Sequence, residues 1–261
     1  MQIIIMTAVV GIIGMGLGGV VSTLLLKRPS EKIMCYTLSF AAGIMTGIVC
    51  FSLIPEAVDI SSIPVTIVGL ILGIVVIMIL NRVVDRVTKE NTDELAIHHT
   101  HEDYYHARPI IENRPKMLRS GIIMLVAIGL HNLPEGIAIG AGGVHDISLG
   151  MILALMILVH NLPEGMAIAA PLLAGGLNKG KVILITALTG LPTLIGGLIG
   201  VMTGYISDTA VALSLALAGG AMLYVVFGEI IPQSVVMTKN RTATLITLLG
   251  IVVALALSLL H

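Results

Sequence analysis

Two copies of one hexapeptide carry the side chains in this chain that are best suited to binding metal. The sequence His-Asn-Leu-Pro-Glu-Gly occupies residues 131–136 and returns 29 residues later at 160–165. His and Glu at positions i and i+4 of a helix share one face and can bind one ion. Both copies lie in long apolar stretches, where an ionised side chain costs about 2.5–3.5 kcal/mol. The sequence therefore predicts an intramembrane metal site with the candidate ligands His131, Asn132, Glu135, His160, Asn161 and Glu164.

The ligand types narrow the choice of metal without fixing it. Imidazole, carboxylate and amide groups suit Zn²⁺, Fe²⁺, Mn²⁺, Co²⁺ or Ni²⁺, whereas Cu(I) prefers the sulfur ligands that the hexapeptide lacks. Pro134 and Pro163 cannot donate to the carbonyls one turn earlier, so each helix should bend there and offer a spare oxygen. Two alternatives stay open at this point: a buried His–Glu hydrogen bond within each helix, and a proton relay.

Composition places these motifs in a membrane protein. The 261 residues are 56% hydrophobic and 11% charged, against about 25% charged residues in soluble domains. A single all-α domain spanning residues 1–261 is expected, with the lipid bilayer as a partner and no nucleic acid. Eight apolar segments, called spans 1 to 8, are predicted at 3–26, 34–58, 64–84, 118–142, 148–172, 181–204, 209–235 and 242–260.

The basic residues predict the topology in the membrane. All 14 Lys and Arg residues fall in, or at the edges of, the loops between spans 1 and 2, 3 and 4, 5 and 6, and 7 and 8. By the positive-inside rule these loops are cytoplasmic, both termini lie outside, and the protein is a multi-pass protein of the cell membrane. At 1.5 Å per residue, both hexapeptides then lie about 16–22 Å from a membrane boundary, near the bilayer midplane.

Related segments in opposite orientations indicate an inverted repeat. Met45 and Pro55 in span 2 are ten residues apart, as are Met222 and Pro232 in span 7, and the loop charges make these spans antiparallel. Spans 4 and 5, which share the hexapeptide, are antiparallel as well. The pattern predicts a 3+2+3 bundle in which spans 1–3 mirror spans 6–8, an arrangement that transporters use around a midplane site.

The predicted cytoplasmic loop at 87–117 is polar, charged and rich in histidine. Its residues His98, His99, His101 and His106 can bind a divalent cation weakly. A metal-buffering or regulatory role is the first interpretation. A solvated linker without a fixed structure is the alternative.

These features together resemble the Zrt/Irt-like (ZIP) family of divalent metal transporters, in its bacterial form. The resemblance covers essentially the whole chain and is carried by the two hexapeptides, by Phe-Ser-Leu-Ile-Pro-Glu at 51–56 and by Phe-Gly-Glu-Ile-Ile-Pro at 227–232. It implies a binuclear centre on spans 4 and 5. In that centre, His131, Glu135, His160 and Glu164 would hold the primary ion, and Asn132 and Asn161 would join the glutamates around a second.

The resemblance also implies a transport path, and this chain departs from the family pattern at one position. Met45 and Ser52 would line the route in span 2, and Glu229 would lie on the exit path in span 7. Many relatives have a Glu in span 6 that completes the second metal position, where this chain has Thr193. A weaker second ion is therefore expected. The family further implies inward movement by alternating access, and a homodimer.

Transport of a divalent metal, with zinc first and iron, manganese, cobalt or cadmium as further substrates, is the predicted function. The ion is then a substrate, no cofactor is expected, and the chain is not an enzyme. The alternative is an intramembrane zinc hydrolase, although the HExxH motif is absent because Asn follows His in both copies. A proton-coupled carrier of an organic anion is disfavoured because no predicted span has an embedded Lys or Arg.

Overall fold

The protein is a bundle of apolar helices. The computed structural model describes residues 1–25, 31–89, 114–238 and 241–259, and every regular element in them is a helix. Seven helical stretches in this part of the chain are long and apolar enough to cross a membrane, and Thr242–Ser258 is a shorter apolar helix of 17 residues. The predicted all-α, polytopic membrane architecture is confirmed.

The helices follow the predicted order of spans. They are Gln2–Ala8, Val9–Ile13 and Gly14–Leu25 in span 1; Glu31–Ile48, Val49–Leu53 and Ile54–Ile60 in span 2; Ile63–Lys89 in span 3; Arg114–His145 in span 4; Ile147–Ala174 in span 5; Lys179–Leu188 and Leu191–Gly204 in span 6; Asp208–Val225, Val226–Ile230 and Ile231–Thr238 in span 7; and Thr242–Ser258 in span 8. Spans 3 and 4 extend beyond their predicted apolar limits, because hydropathy marks the edge of the bilayer and not the end of helical hydrogen bonding.

Three spans contain a five-residue π-helical segment: Val9–Ile13, Val49–Leu53 and Val226–Ile230. The second and third end two residues before Pro55 and Pro232. A proline withdraws an N–H and crowds the carbonyl four residues earlier, and a widened turn relieves that crowding. The helices of spans 4 and 5, by contrast, continue through Pro134 and Pro163 as α-helix.

Packing between the spans follows the predicted repeat. Span 1 packs on span 5 as span 6 packs on span 4, and span 2 packs on span 8 as span 7 packs on span 3. A Cβ placed on Gly43 would lie 2.1 Å from the Thr247 carbonyl oxygen, and one on Gly220 would lie 2.1 Å from that of Leu70. Gly220 lies 177 residues after Gly43, and Thr247 lies 177 residues after Leu70. The two halves therefore make the same contact between matched residues.

Glycines bring spans 1 and 6 against the two hexapeptides. A Cβ on Gly18 would lie 2.3 Å from the carbonyl oxygen of Leu162 in span 5, and a Cβ on Gly196 would lie 2.1 Å from that of Leu133 in span 4. Both distances are far inside van der Waals contact, so neither position has room for a side chain. Small residues at these crossings permit the close helix approach typical of membrane proteins.

Candidate metal centre

The polar side chains of both hexapeptides lie in the centre of the bundle. His131 is 1% exposed, and the exposed fraction is 0% for Asn132, Glu135, His160, Asn161 and Glu164. Spans 4 and 5 pack directly on each other, and spans 1, 2, 6 and 7 pack around them. Burial of this many polar groups in an apolar bundle is costly unless partners or a ligand satisfy them.

Each histidine in the centre reaches the glutamate of the other helix. His131 Nε2 lies 3.3 Å from Glu164 Oε1, and His160 Nε2 lies 2.8 Å from Glu135 Oε1. The alternative of a His–Glu hydrogen bond within each helix is therefore wrong, because the bonds run between spans 4 and 5. His131, Glu135 and Glu164 can each place one ligand atom within 4.8 Å of the other two.

Several buried polar atoms of the centre have no hydrogen-bond partner among the described residues. They are His131 Nδ1, Asn132 Oδ1, Glu135 Oε2, Asn161 Oδ1, Glu164 Oε2 and Thr193 Oγ1. Leaving such an atom unsatisfied costs about 1–3 kcal/mol, and more for a charged group. All of them carry lone pairs that a cation can bind, and His131, Glu135 and Glu164 are close enough to one another to share one ion.

The two asparagines are held in matching ways by the flanking spans. Asn132 Nδ2 donates to the Thr189 carbonyl in span 6 at 2.9 Å, and Asn161 Nδ2 donates to the Val10 carbonyl in span 1 at 3.2 Å. Thr189 lies where span 6 breaks between two helices, and Val10 lies in the π segment of span 1. Because the amide nitrogen is the bound atom, each Oδ1 is left as the atom without a partner.

The remaining residues predicted for the path lie on three spans. Met45 is fully buried and Ser52 is 9% exposed, both in span 2. Thr193 is fully buried in span 6, and its carbonyl oxygen would lie 2.0 Å from a Cβ placed on Gly136 of the span 4 hexapeptide. Glu229 accepts a hydrogen bond from Asn81 Nδ2 of span 3. The predicted loop ligands His98, His99, His101 and His106 lie outside the described residues.

Sequence reasoning did not single out Asn81 or the two carbonyl acceptors. Asn81 is a polar residue at the end of an apolar span, directly before Arg82, and this position is the signal that could have identified it. The carbonyls of Val10 and Thr189 are backbone groups, so side-chain patterns could not reveal them. Gly190 and Pro192, around the break in span 6, were the available clue.

The arrangement of donors supports divalent-cation binding linked to proton release. The Met156 carbonyl can only accept, so His160 Nδ1–H donates to it, at 3.2 Å. When the imidazole is neutral, the close contact of Nε2 with Glu135 therefore needs a proton on the carboxyl group. A metal ion bound there would displace that proton, because imidazole and carboxylate ligate in their deprotonated forms.

Comparison with known proteins gives one family. The family model described as ZIP zinc transporter matches residues 98–258. The chain is 29% identical to the zinc transporter ZupT of Corynebacterium efficiens, over 94% of this chain and 91% of the relative. It is 30% identical to ZupT of Chlorobium chlorochromatii, over 94% and 92% of the two chains. It is 38% identical to the zinc transporter GufA of Myxococcus xanthus, over 54% of this chain and 56% of the relative.

Proposed function

The chain belongs to the ZIP family of zinc transporters, and from that premise we propose that it transports divalent metal ions across the membrane, with zinc as the principal substrate. One observation carries the proposal. His131, Glu135 and Glu164 of two different spans converge in the buried centre of the bundle with lone pairs that no described residue satisfies. The metal is a substrate in this proposal, and the protein is a carrier without enzymatic activity.

The ligand set we propose joins both hexapeptides. His131, Glu135 and Glu164 bind the ion first. His160 mainly holds Glu135 in place, and it can join the ligand set when that contact opens. The Oδ1 atoms of Asn132 and Asn161 serve an adjacent, weaker position, because their amides are already fixed by carbonyls of spans 6 and 1. Thr193 adds a neutral hydroxyl to that position. The charge of a metal ion bound there is therefore less well balanced than the charge of an ion at the first position.

The direction we propose is inward, into the cytoplasm. The loops with Lys and Arg lie on the cytoplasmic side under the positive-inside rule, which leaves both termini outside. Met45 and Ser52 line the approach in span 2, and Glu229 in span 7 lies on the exit. Matched packing of spans 1–3 and 6–8 supports alternating access, since two similar halves can exchange conformations around a fixed site.

Uptake by purified protein in proteoliposomes tests this function. Entry of Zn²⁺ should exceed that of control liposomes and should fall when Fe²⁺, Mn²⁺ or Cd²⁺ competes, and metal analysis of the purified protein should find bound zinc. Sidedness is tested by labelling a cysteine introduced near either terminus, and the homodimer by cross-linking in membranes. The absence of uptake in correctly inserted protein, together with a hydrolytic product, would favour the zinc hydrolase.

A further inference from the structure

Spans 1 and 6, which correspond to each other in the inverted repeat, touch at one pair of glycines. A Cβ placed on Gly11 would lie 2.4 Å from the carbonyl oxygen of Gly190, and a Cβ placed on Gly190 would lie 2.1 Å from the carbonyl oxygen of Gly11. The two backbones are therefore in direct contact, and neither position has room for a side chain. The contact is reciprocal, as it is wherever two matched residues meet at a twofold axis.

The residue before each of these glycines holds one asparagine of the metal centre. The Val10 carbonyl accepts from Asn161 Nδ2 of span 5 at 3.2 Å, and the Thr189 carbonyl accepts from Asn132 Nδ2 of span 4 at 2.9 Å. Each acceptor is thus joined by one peptide unit to the glycine contact. A shift of either backbone at that contact would move the carbonyl that holds an asparagine.

Both acceptor carbonyls lie where the helix is irregular. Val10 is in the π segment Val9–Ile13 of span 1. In span 6, the Thr193 N–H donates to the Gly190 carbonyl at 3.2 Å, three residues earlier, where an α-helix would use the carbonyl four residues earlier. The carbonyl of Thr189 is thereby left for a side chain of span 4. The irregular turns of the two spans therefore supply the two acceptors.

Three neutral side-chain oxygens near the glycine contact are buried and have no hydrogen-bond partner among the described residues. They are Asn132 Oδ1, Asn161 Oδ1 and Thr193 Oγ1, all on residues that are 0% exposed. Thr193 Oγ1 would lie 2.9 Å from a Cβ placed on Gly11. Oxygens of amides and hydroxyls can ligate a cation. The side chains that meet around this contact are thus the ones we propose for the adjacent, weaker metal position.

From these observations we propose that Gly11 and Gly190 are positioning residues: their contact fixes the two carbonyls that hold the asparagines, and it thereby orients both amide oxygens toward the weaker metal position. This inference rests on the proposed transport function. The histidines and glutamates of the centre are held by each other and not by these two carbonyls. The glycine contact should therefore control the weaker position and leave the first position unchanged.

The test titrates the purified full-length chain with Zn²⁺ in a calorimeter and separates the tighter binding step from the weaker one. We expect Gly190→Ala to reduce the affinity of the weaker step on the order of tenfold, the usual range for groups that orient a metal ligand. The tighter step should stay within about twofold of wild type, whereas a general disturbance of the fold would change both steps. Gly129→Ala is the matched control and should leave both steps unchanged, because a Cβ there would lie at an ordinary 3.6 Å from Thr189 Cγ2.

A double-mutant cycle decides whether the glycine contact orients both asparagines or only the nearer one. Gly190 adjoins the carbonyl that holds Asn132, so a local effect of Gly190→Ala would resemble that of Asn132→Ala. If the contact orients both amides, Asn161→Ala should weaken the weaker step much less in the Gly190→Ala background than in the Asn132→Ala background, because residues that share one role are not additive.

Equal effects of Asn161→Ala in the two backgrounds would overturn the inference. A wild-type weaker step in Gly190→Ala, or a wild-type chain that binds a single Zn²⁺, would overturn it as well. If Gly190→Ala is not recovered folded, Gly11→Ala replaces it, and Asn132→Ala and Asn161→Ala exchange places in the cycle. Wild-type protein that neither binds nor moves Zn²⁺ would instead refute the proposed function.

Discussion

His131 and His160 occupy the same place in the two hexapeptides, and the structure holds them differently. His160 engages both ring nitrogens, with Nδ1 donating to the Met156 carbonyl at 3.2 Å and Nε2 lying 2.8 Å from Glu135. His131 has one longer contact, 3.3 Å from Nε2 to Glu164, and its buried Nδ1 has no partner among the described residues. Two residues that the repeat makes equivalent in sequence are thus unequal in the folded protein.

This difference indicates that His131 and His160 have different roles in metal binding. Recruiting His131 breaks one long hydrogen bond, whereas recruiting His160 disturbs a short contact with Glu135 and the orientation that Met156 gives to the ring. An imidazole with its second nitrogen on a backbone carbonyl is a typical arrangement for fixing a ligand's direction. We therefore expect His131, with Glu135 and Glu164, to capture the ion, and His160 mainly to orient Glu135.

The largest effect should come from the capturing residues. We expect Glu164→Ala or His131→Ala to lower Zn²⁺ uptake in proteoliposomes by more than about 100-fold, beyond the usual cost of losing an orienting group. His145→Ala, at the outer end of the same helix as His131, is the matched control and should keep nearly full uptake. If both centre variants fold, insert and transport like wild type, the assigned site is wrong.

His160→Ala should have a smaller effect. If His160 mainly orients Glu135, removing the His160 side chain should weaken Zn²⁺ binding by about 10–100-fold. This is the usual range for groups that orient a metal ligand. Calorimetric Zn²⁺ titrations of His160→Ala and His131→Ala, purified side by side, measure the difference. Equal losses in the two variants would mean that the inequality between the histidines has no role in binding.

Acidification should weaken apparent affinity while preserving the rate at saturating metal. Binding requires neutral imidazoles and ionised carboxylates, so protons compete with the cation. Each added proton that the His–Glu pairs bind must leave before the cation is ligated, so the Zn²⁺ concentration at half-maximal uptake should rise on the order of tenfold between about pH 7 and pH 5. Excess Zn²⁺ should restore the rate. An unchanged half-saturating concentration across this range would exclude these side chains as the capturing ligands.

Much of this centre could be predicted from the sequence, because the informative patterns are short motifs or the distribution of one residue type along the chain. The duplicated hexapeptide predicted which polar side chains come together in the buried centre, and the placement of 14 basic residues predicted eight spans. Ten-residue Met–Pro spacings in spans 2 and 7 predicted the repeat, whose packing the structure confirms.

What the sequence could not supply was the mutual rotation of the helices. Spacing of i and i+4 places His131 and Glu135 on one face, but it does not say that His131 will contact Glu164 of the other helix. Spans 1 and 6 also pack closely on the hexapeptides at Gly18 and Gly196, and no local pattern predicts how close that packing is. The contact between Asn81 and Glu229 joins residues 148 positions apart, and no local pattern encodes it.

The smallest effect is expected from the segment between spans 3 and 4. Its sequence is polar and charged, and it lies between the helices that end at Lys89 and begin at Arg114. Deleting residues 95–108 removes His98, His99, His101 and His106 together, and polar segments that connect helices tolerate such changes. We expect the maximal Zn²⁺ uptake rate to stay within about twofold of wild type, since no ligand of the proposed centre is removed.

Replacing the four histidines with glutamine in the full-length chain is the matched control, because it removes the imidazoles and keeps the length. A shared change in half-saturating Zn²⁺ would assign a regulatory role to the histidines, and complete loss of uptake in correctly inserted deletion protein would show that transport depends on this loop as well as on spans 4 and 5.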